Sequence, residues 1–251
     1  MTTVGDVDLW LRRYEPCPDA RTQLVCFPHA GGSASYYLSL ATLFAPGVEV
    51  LAVQYPGRQD RRTEGCLESV AELADRAYEA VRAGTDRPFA FFGHSMGAVV
   101  AFEVARRFER DAAAGPARLF ASARRAPSRH RAESVHLGDR DRVIEELRLI
   151  GGTDERFFAS AELQDMVLPV ARADYRAIET YPGVPAGEGV GCPITALAGE
   201  TDPRAGREEV AAWREHTAGE FEMHVFPGGH FYLDGRRAEI VKLVSDTLAI
   251  E

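Results

Sequence analysis

The chain has 251 residues, 45% of them hydrophobic, and a formal net charge of −9 at pH 7. These values are typical of a globular protein with a substantial core, and the negative charge argues against nucleic acid as a partner. No apolar run approaches the roughly 18 residues that cross a bilayer, and the first residues lack a signal-peptide pattern. Four cysteines without paired spacing predict neither disulfides nor a zinc site, so we expect a reducing, cytoplasmic setting.

Strand and helix patterns alternate along most of the chain. Apolar or alternating runs predict strands over residues 7–11 (at an edge), 22–27, 48–55, 89–92, 119–122, 194–198 and 221–226. Helical spacing of apolar residues predicts helices over 35–44, 67–83, 98–105, 206–217 and 237–248. Strands that alternate with helices in this way predict βαβ units, so the fold class is α/β, with a mostly parallel central sheet flanked by helices.

The alternation stops between residues 128 and 185, where no strand is predicted. Helical spacing continues there: Asp139 is placed to cap one helix, and Pro169 is expected to break or kink a later one. We interpret this stretch as a helical lid inserted over the carboxyl edge of the sheet, within a single domain spanning residues 1–251. Its tail, residues 171–181, can already belong to a core helix.

The sequence Gly-His-Ser-Met-Gly at residues 93–97 fits the pattern G-x-S-x-G. A predicted buried strand precedes it and a predicted helix follows it, which is the setting of a nucleophile elbow. In an elbow the serine lies in a strained turn that lifts its hydroxyl clear of the sheet, and small glycines leave room for the chain that crosses nearby. Ser95 is therefore the candidate nucleophile.

A serine hydroxyl needs a neighbouring base, which in this architecture is a histidine oriented by a carboxylate, in the chain order serine, acid, histidine. His230 lies in the loop just after the last predicted strand and is the preferred base, with His224 inside that strand as the main alternative. Asp202 follows the preceding strand and is the preferred acid, with Glu200 as the alternative.

An oxyanion formed at the serine would require backbone donors. One should be the N–H of Met96, the residue after the serine, and the other should come from the loop after an earlier strand. The glycine-rich loop 28–32 has that position, and we select Ala30 within it. The sequence contains no metal cluster, dinucleotide motif or phosphate-binding loop, so neither a metal nor a cofactor is expected.

Five segments together resemble the type II thioesterases, the stand-alone enzymes that accompany polyketide synthases and nonribosomal peptide synthetases. They are FPHAGGSA at 27–34, YPGRQDR at 55–61, FGHSMGA at 92–98, RADY at 172–175 and PGGHF at 227–231. The resemblance covers nearly the whole chain in the right order and is weakest in the insertion. It implies the α/β-hydrolase fold with a helical lid.

The resemblance also implies the chemistry. The family hydrolyses acyl groups from the phosphopantetheine thiol of acyl or peptidyl carrier proteins, and its role is to remove aberrant or stalled units. It would make Ser95, Asp202 and His230 the catalytic triad, with Met96 and Ala30 as oxyanion donors. A carrier protein is thus the expected partner, nucleic acid and membrane are not, and a monomer is the default oligomeric state.

Two further groups of residues are candidates for contacts with substrate and carrier. Together with His29, apolar lid residues would shape the acyl chamber: Ile144, Leu147, Phe157, Phe158, Met166 and Val167. Carrier proteins are usually acidic, so a local arginine patch would have to dock them despite the negative net charge. The candidate arginines are Arg58, Arg61, Arg62, Arg124, Arg125, Arg129 and Arg131.

Two other functions could use the same residues. A carboxylesterase or lipase-like hydrolase of oxygen esters has the same fold and triad, so the triad does not distinguish it from a thioesterase. A carrier-binding module with little catalysis belongs to a different class. The intact set of Ser95, Asp202 and His230 argues against that module.

Overall fold

The computed structural model describes residues 4–248. Its strands are Leu11–Arg12 (β1), Thr22–Phe27 (β2), Val48–Val53 (β3), Phe89–His94 (β4), Leu119–Ser122 (β5), Ile194–Gly199 (β6) and Phe221–Phe226 (β7). Its α-helices are Val4–Trp10 (α1), Leu38–Phe44 (α2), Val70–Gly84 (α3), Met96–Arg110 (α4), Arg140–Ile150 (α5), Glu155–Ala159 (α6), Ala161–Glu179 (α7), Arg207–Ala211 (α8) and Arg237–Thr247 (α9).

The seven strands form one sheet in the order β1-β3-β2-β4-β5-β6-β7. β1 pairs antiparallel with β3, and every other neighbouring pair is parallel. This confirms the predicted mostly parallel sheet. Because six strands run in the same direction, their carboxyl ends meet along one edge.

Helices cover both faces of the sheet, because its central strands are apolar on both sides. Every residue of β3, β4, β5 and β6 is buried. α3 and α4 pack on one face through residues such as Leu73 and Phe102, while α2 and α9 pack on the other through Leu40 and Ile240. Within residues 4–248, none of the helices has the length and apolar character that a membrane span requires.

The strand predicted over residues 7–11 is wrong. Most of this stretch belongs to α1, and the edge strand β1 is only two residues long. Apolar residues alternate along it, but Leu9 is 40% exposed, whereas Val7, Trp10 and Leu11 are buried. The buried positions have the i, i+3, i+4 spacing of one helix face, and this face packs against the core on the α3 side of the sheet.

Between β5 and β6 the described chain forms α5, α6 and α7 and no strand. α5 begins where the sequence predicts, because the Asp139 side chain accepts a hydrogen bond from the Arg142 N–H at 3.0 Å. The three helices share an apolar cluster of their own, which includes Val143, Phe157 and Leu168. The insertion therefore packs around a separate small centre above the sheet edge.

α7 runs without interruption through Pro169, so of the predicted break or kink the break is wrong and the kink stays a prediction. A proline leaves the carbonyl four residues earlier, here that of Asp165, without its helical partner. Both residues are exposed, so water can bind that carbonyl. Beyond Pro169 the helix enters the main core through Ala177 and Ile178, as predicted for the tail of the insertion.

Candidate active site

The candidate catalytic residues lie at the shared carboxyl edge of the sheet. Ser95 follows β4, Asp202 lies beyond β6, and His230 lies beyond β7, while loop 28–32 follows β2. In parallel α/β sheets this edge is where ligands bind, because the loops that follow the strands converge there. The order of the strands thus brings distant residues to one edge of the sheet. Ala30 and His230, for example, are 200 positions apart in the chain.

The elbow holds Ser95 in a strained conformation, with φ 54° and ψ −120°. A positive φ is uncommon for a residue other than glycine and persists only where surrounding structure fixes it, here through a 2.8 Å hydrogen bond from the Ser95 N–H to the Ser122 carbonyl. A Cβ atom at Gly93 would lie closer than 3.0 Å to the Gly97 carbonyl oxygen, and one at Gly97 would lie closer than 3.0 Å to that of Phe27. Both glycines are therefore required for the close crossing of the chains.

The imidazole of His230 lies between the Ser95 hydroxyl and the Asp202 carboxylate. Nε2 is 2.9 Å from Ser95 Oγ, and Nδ1 is 2.8 Å from Asp202 Oδ2. His230 is 3% exposed and the Asp202 side chain is fully buried, whereas Ser95 stays partly accessible. In this geometry the ring can accept the hydroxyl proton at Nε2 while the carboxylate fixes the tautomer with hydrogen on Nδ1.

The alternative acid and base do not join this arrangement. Glu200 is exposed, while the second Asp202 oxygen is held by two backbone N–H groups, the nearer from Arg204 at 2.8 Å. His224 lies within β7, and its Nε2 is 3.8 Å from the Oε2 atom of Glu222, two residues earlier on the same strand. Within residues 4–248 no group of histidine, cysteine and acidic side chains is arranged to bind a metal ion.

A cavity of about 40 Å³ opens at Ser95, and we call it the serine cavity. His29, Ala30, Met96 and His230 contribute to its lining. Met96 is the first residue of α4, so its N–H has no acceptor within the helix. The Ala30 N–H has no protein acceptor among the described residues. The two donors predicted from the sequence thus lie at the same cavity as the hydroxyl.

A buried ion pair holds the loop that carries Ala30. The Arg58 guanidinium donates to both carboxylate oxygens of Asp174, at 2.7 and 3.0 Å, and the two side chains are 5% and 0% exposed. Asp174 also accepts the Gly31 N–H at 2.7 Å, and Arg58 donates to the Gly32 carbonyl at 2.9 Å. We call Arg58, Asp174 and Gly31 the latch, because they fasten loop 28–32 to α7.

The latch was not predicted, although both charged residues lie in segments that resemble the family. The prediction that Arg58 docks a carrier protein is wrong, because this side chain is buried and paired inside the protein. It is also wrong for Arg61 and Arg125, which are 5% and 4% exposed and pair with Glu64 and Glu133. An arginine count from sequence cannot separate these internal pairs from a docking surface.

A second cavity adjoins the serine cavity, and His29 and Ala30 line both. It has a volume of about 400 Å³, and we call it the lid cavity because the insertion supplies Leu147, Phe157 and Val167 to its walls. Mostly apolar pockets with a few polar groups are typical sites for organic ligands. His29 and Phe157, two of the residues predicted to contact substrate, both line this cavity.

Three other predicted chamber residues lie outside the lid cavity. Ile144 packs against the apolar cluster of the insertion. Phe158 packs edge-on against Phe157, with ring centroids 5.2 Å apart, and the Arg148 guanidinium lies 4.7 Å from its ring. Met166 is 61% exposed and lines a separate groove of about 920 Å³ between α7 and residues 57–66, here called the outer groove. Neighbouring residues of a helix point about 100° apart, and of the two phenylalanines only Phe157 faces the lid cavity.

Two further histidines, His29 and His94, lie beside His230 and are uncharged at pH 7. His94 Nδ1 is 2.9 Å from Ser122 Oγ, and burial, together with His230, holds the pKa of His94 well below its usual range. Burial, followed by the nearby His230 and Arg58, lowers the pKa of His29 to about 3. Their neutrality means that neither ring adds a positive charge that would oppose protonation of His230.

We expect the stability of the protein to fall as the pH is lowered from about 6.5 to about 5. In this range the unfolded chain protonates His29 and His94, while the folded chain keeps them neutral, so the unfolded state binds more protons. Each histidine removes about 1.4 kcal/mol of unfolding free energy per pH unit once the pH is well below its unfolded pKa. Thermal unfolding across this range should show a shallower pH dependence in His29→Gln than in wild type or in the exposed control His130→Gln. Equal slopes in all three would contradict the expectation.

Comparison with known proteins identifies the family of this chain. A family profile described as "Thioesterase domain" matches residues 22–248. The chain is 48% identical to the protein named Thioesterase PikA5 of Streptomyces venezuelae over 246 residues, which are 98% of this chain and 87% of that protein.

Solved structures give the same result. The chain is similar to the type II thioesterase BorB from the borrelidin biosynthetic cluster, with a TM-score of 0.87, 48% identity, and coverage of 95% of this chain and 97% of BorB. It is also similar to YbtT, a type II thioesterase from the yersiniabactin NRPS/PKS biosynthetic pathway, with a TM-score of 0.83, 29% identity, and coverage of 96% and 100%. The chain thus belongs to the thioesterase family and is a thioester hydrolase of the α/β-hydrolase fold.

Proposed function

We propose that this thioesterase removes acyl groups from the phosphopantetheine thiol of acyl or peptidyl carrier proteins, as an editing enzyme of polyketide or nonribosomal peptide biosynthesis. The relation to YbtT, which comes from an NRPS/PKS pathway, supports this substrate class. The observation that carries the proposed chemistry is the chain of hydrogen bonds from Ser95 through His230 to Asp202 at the serine cavity. The proposed cytoplasmic setting is supported by the four cysteines, which are all free.

In the first half-reaction Ser95 is the nucleophile. Its Oγ attacks the thioester carbonyl carbon while Nε2 of His230 accepts the hydroxyl proton. The N–H groups of Met96 and Ala30 stabilise the negative charge that develops on the carbonyl oxygen. The carbon–sulfur bond then breaks, and the sulfur takes the proton from His230. The pantetheine thiol departs, and the acyl group remains bonded to Ser95 Oγ.

The second half-reaction releases the acid. A water molecule takes the place of the departed thiol and gives a proton to His230 Nε2 as its oxygen attacks the acyl carbon. The bond between that carbon and Ser95 Oγ breaks, and the proton returns to the serine. Asp202 stays ionised throughout and stabilises the imidazolium that forms twice in each cycle.

The two cavities bind different parts of the substrate. The serine cavity, at about 40 Å³, encloses the reacting carbonyl, and the lid cavity, at about 400 Å³, takes the body of a longer acyl group. Phe157 and Val167 from the insertion face that group. Replacing either wall residue would therefore change the acyl-chain preference without touching the hydrogen bonds around His230.

Three of the candidate docking arginines remain available at the surface. Arg129 and Arg131 are 39% and 43% exposed and pair with Glu215 and Glu209. Arg62 is exposed beside the outer groove and forms no ion pair among the described residues. A free cation next to a long groove is better suited to meet an acidic carrier than cations that already have partners.

The proposed function predicts a preference for thioesters that an oxygen-ester hydrolase would not show. We expect kcat/KM for an acyl-carrier thioester to exceed that for the matched acyl oxygen ester of the same carrier by about tenfold or more. The measurement is the release of acid from both substrates, which share acyl group and protein. Equal values would favour the esterase alternative. Binding of the carrier without turnover of either substrate would favour the binding module.

A further inference from the structure

Arg124 reaches the serine cavity from the end of β5, the strand next to the elbow. The residue before it, Ala123, has φ 51°, which is uncommon for a residue with a side chain, and its N–H donates to the Leu197 carbonyl at 2.8 Å. The Arg124 carbonyl accepts a hydrogen bond from Trp213 Nε1 at 2.8 Å. A strained and anchored backbone thus fixes where this arginine enters the site, and such strain is common at functional positions.

The side chain of Arg124 is bonded to none of the described residues. Among residues 4–248 its guanidinium forms no ion pair and no hydrogen bond, and its Nε is buried without an acceptor. Buried polar groups in proteins are nearly always hydrogen-bonded, so each exception needs an explanation. Arg125, the next residue in the chain, and Arg204, which also lines the serine cavity, both have carboxylate partners.

The carboxylates that line the serine cavity are already bonded elsewhere. Glu133 pairs with Arg125, and Glu146 accepts from Arg204 Nε at 2.7 Å. Glu179 accepts two backbone N–H groups at 2.9 and 3.0 Å. Rotating any of them towards Arg124 would break these bonds, so none of the three forms a direct ion pair with it, although Glu133 and Glu179 attract its charge without contact.

The isolation of Arg124 also affects its protonation. Burial, together with the neighbouring Arg125, lowers the pKa of Arg124 to about 9, and the attraction of Glu133 and Glu179 does not restore it. The group is still protonated at pH 7, so the cavity contains a positive charge whose buried Nε–H has no acceptor. An anion within hydrogen-bond reach would supply that acceptor and a counter-charge.

The ligand must be small, because the cavity of about 40 Å³ accommodates about three water-sized groups. Hydrolysis at Ser95 converts an uncharged thioester into a carboxylate within this same cavity. We propose that Arg124 is a carboxylate-binding residue of the serine cavity. Its ligand is either the short-chain acid product or the distal carboxylate of a dicarboxylic acyl group. The inference rests on the proposed function, because both ligands arise from thioester hydrolysis at Ser95.

Binding can be measured without turnover. The melting temperature of the full chain would be compared in sodium acetate, sodium malonate and sodium chloride at equal ionic strength and pH. Acetate or malonate should raise it by about 2 °C or more over chloride in wild type and in Arg124→Lys, which keeps the charge. The rise should be absent in Arg124→Met and present in Arg110→Met, a control at a position where the side chain is 65% exposed on α4.

Kinetics then distinguish the two sources of the carboxylate. If Arg124 binds the product, acetate inhibits hydrolysis of acetyl-pantetheine, and its inhibition constant rises about tenfold or more in Arg124→Met. If Arg124 binds the distal carboxylate, the ratio of kcat/KM for malonyl-pantetheine to that for acetyl-pantetheine falls by a similar factor in the same variant. Arg124→Lys should retain most of either effect.

Equal melting temperatures of the wild type in all three salts would overturn the inference. So would a rise that persists in Arg124→Met. If that variant does not fold, Arg124→Gln and Arg124→Lys test the same point through their difference. A wild type that binds acetate but hydrolyses no thioester would contradict the proposed function and leave the carboxylate site in place, so the two failures are distinguishable.

Discussion

Replacing Ser95 by alanine is expected to lower kcat/KM for an acyl-carrier thioester by about four to six orders of magnitude. The variant loses the only hydroxyl that lies 2.9 Å from His230 Nε2 among the described residues, so no acyl-enzyme can form. The residual rate would come from water held near the two oxyanion donors. The fold should be unaffected, since alanine is smaller and Gly93 and Gly97 are unchanged.

The matched control is Ser134→Ala, because Ser134 is exposed and its side chain makes no cap hydrogen bond. It should retain wild-type turnover and wild-type labelling by a fluorophosphonate, whereas Ser95→Ala should lose both. Turnover by Ser95→Ala within tenfold of wild type would remove this residue from the mechanism. Labelling retained in that variant would point to a different nucleophile.

Replacing Asp174 by asparagine is expected to lower the free energy of unfolding by about 3–5 kcal/mol, because it leaves a buried guanidinium without its counter-charge. The Asp174 carboxylate accepts two bonds from Arg58 and one from Gly31. An amide of the same size has one oxygen and turns its NH₂ group towards one of these donors. Denaturant unfolding of wild type and variant measures the difference.

Asp165→Asn is the matched control on the same helix. Asp165 has a side chain that is 67% exposed and pairs at the surface with Arg140, so its replacement should change stability by less than about 1 kcal/mol. Turnover provides a second readout, because the latch fixes the loop that carries Ala30. Loss of one oxyanion donor lowers kcat by about 10²–10³-fold, so folded Asp174→Asn should lose activity up to that limit. Wild-type stability and turnover in this variant would show that the latch does not support the loop.

The sheet and the elbow were predictable because their signals are local. A buried strand such as β4 is a short apolar run, and the turn after it is recognised by five consecutive residues, 93–97. Asp202 and His230 follow β6 and β7, so the predicted strand ends also located them. The structure brings these two residues together with Ser95 at hydrogen-bond distances.

Other features depend on contacts that the local sequence does not contain. Arg58 and Asp174 are 116 positions apart, and nothing near either residue indicates the other. α1 has apolar residues that fit both a strand and a helix, and packing against the α3 side of the core decides between them. Phe158 and Phe157 are the same residue type, but only Phe157 faces the lid cavity. Which of the two does so depends on where α6 begins.

α7 connects parts of the protein that would otherwise be independent. Within just over three turns it carries Val167 in the wall of the lid cavity, Asp174 in the latch and Ile178 in the main core. A change of acyl-chain preference made on this helix would therefore also disturb the support of the Ala30 loop. α5 and α6 contribute Leu147 and Phe157 to the same cavity and lie outside the latch. Changes in the preferred length of the acyl group, in evolution or by engineering, should therefore occur mainly in α5 and α6 and rarely in α7.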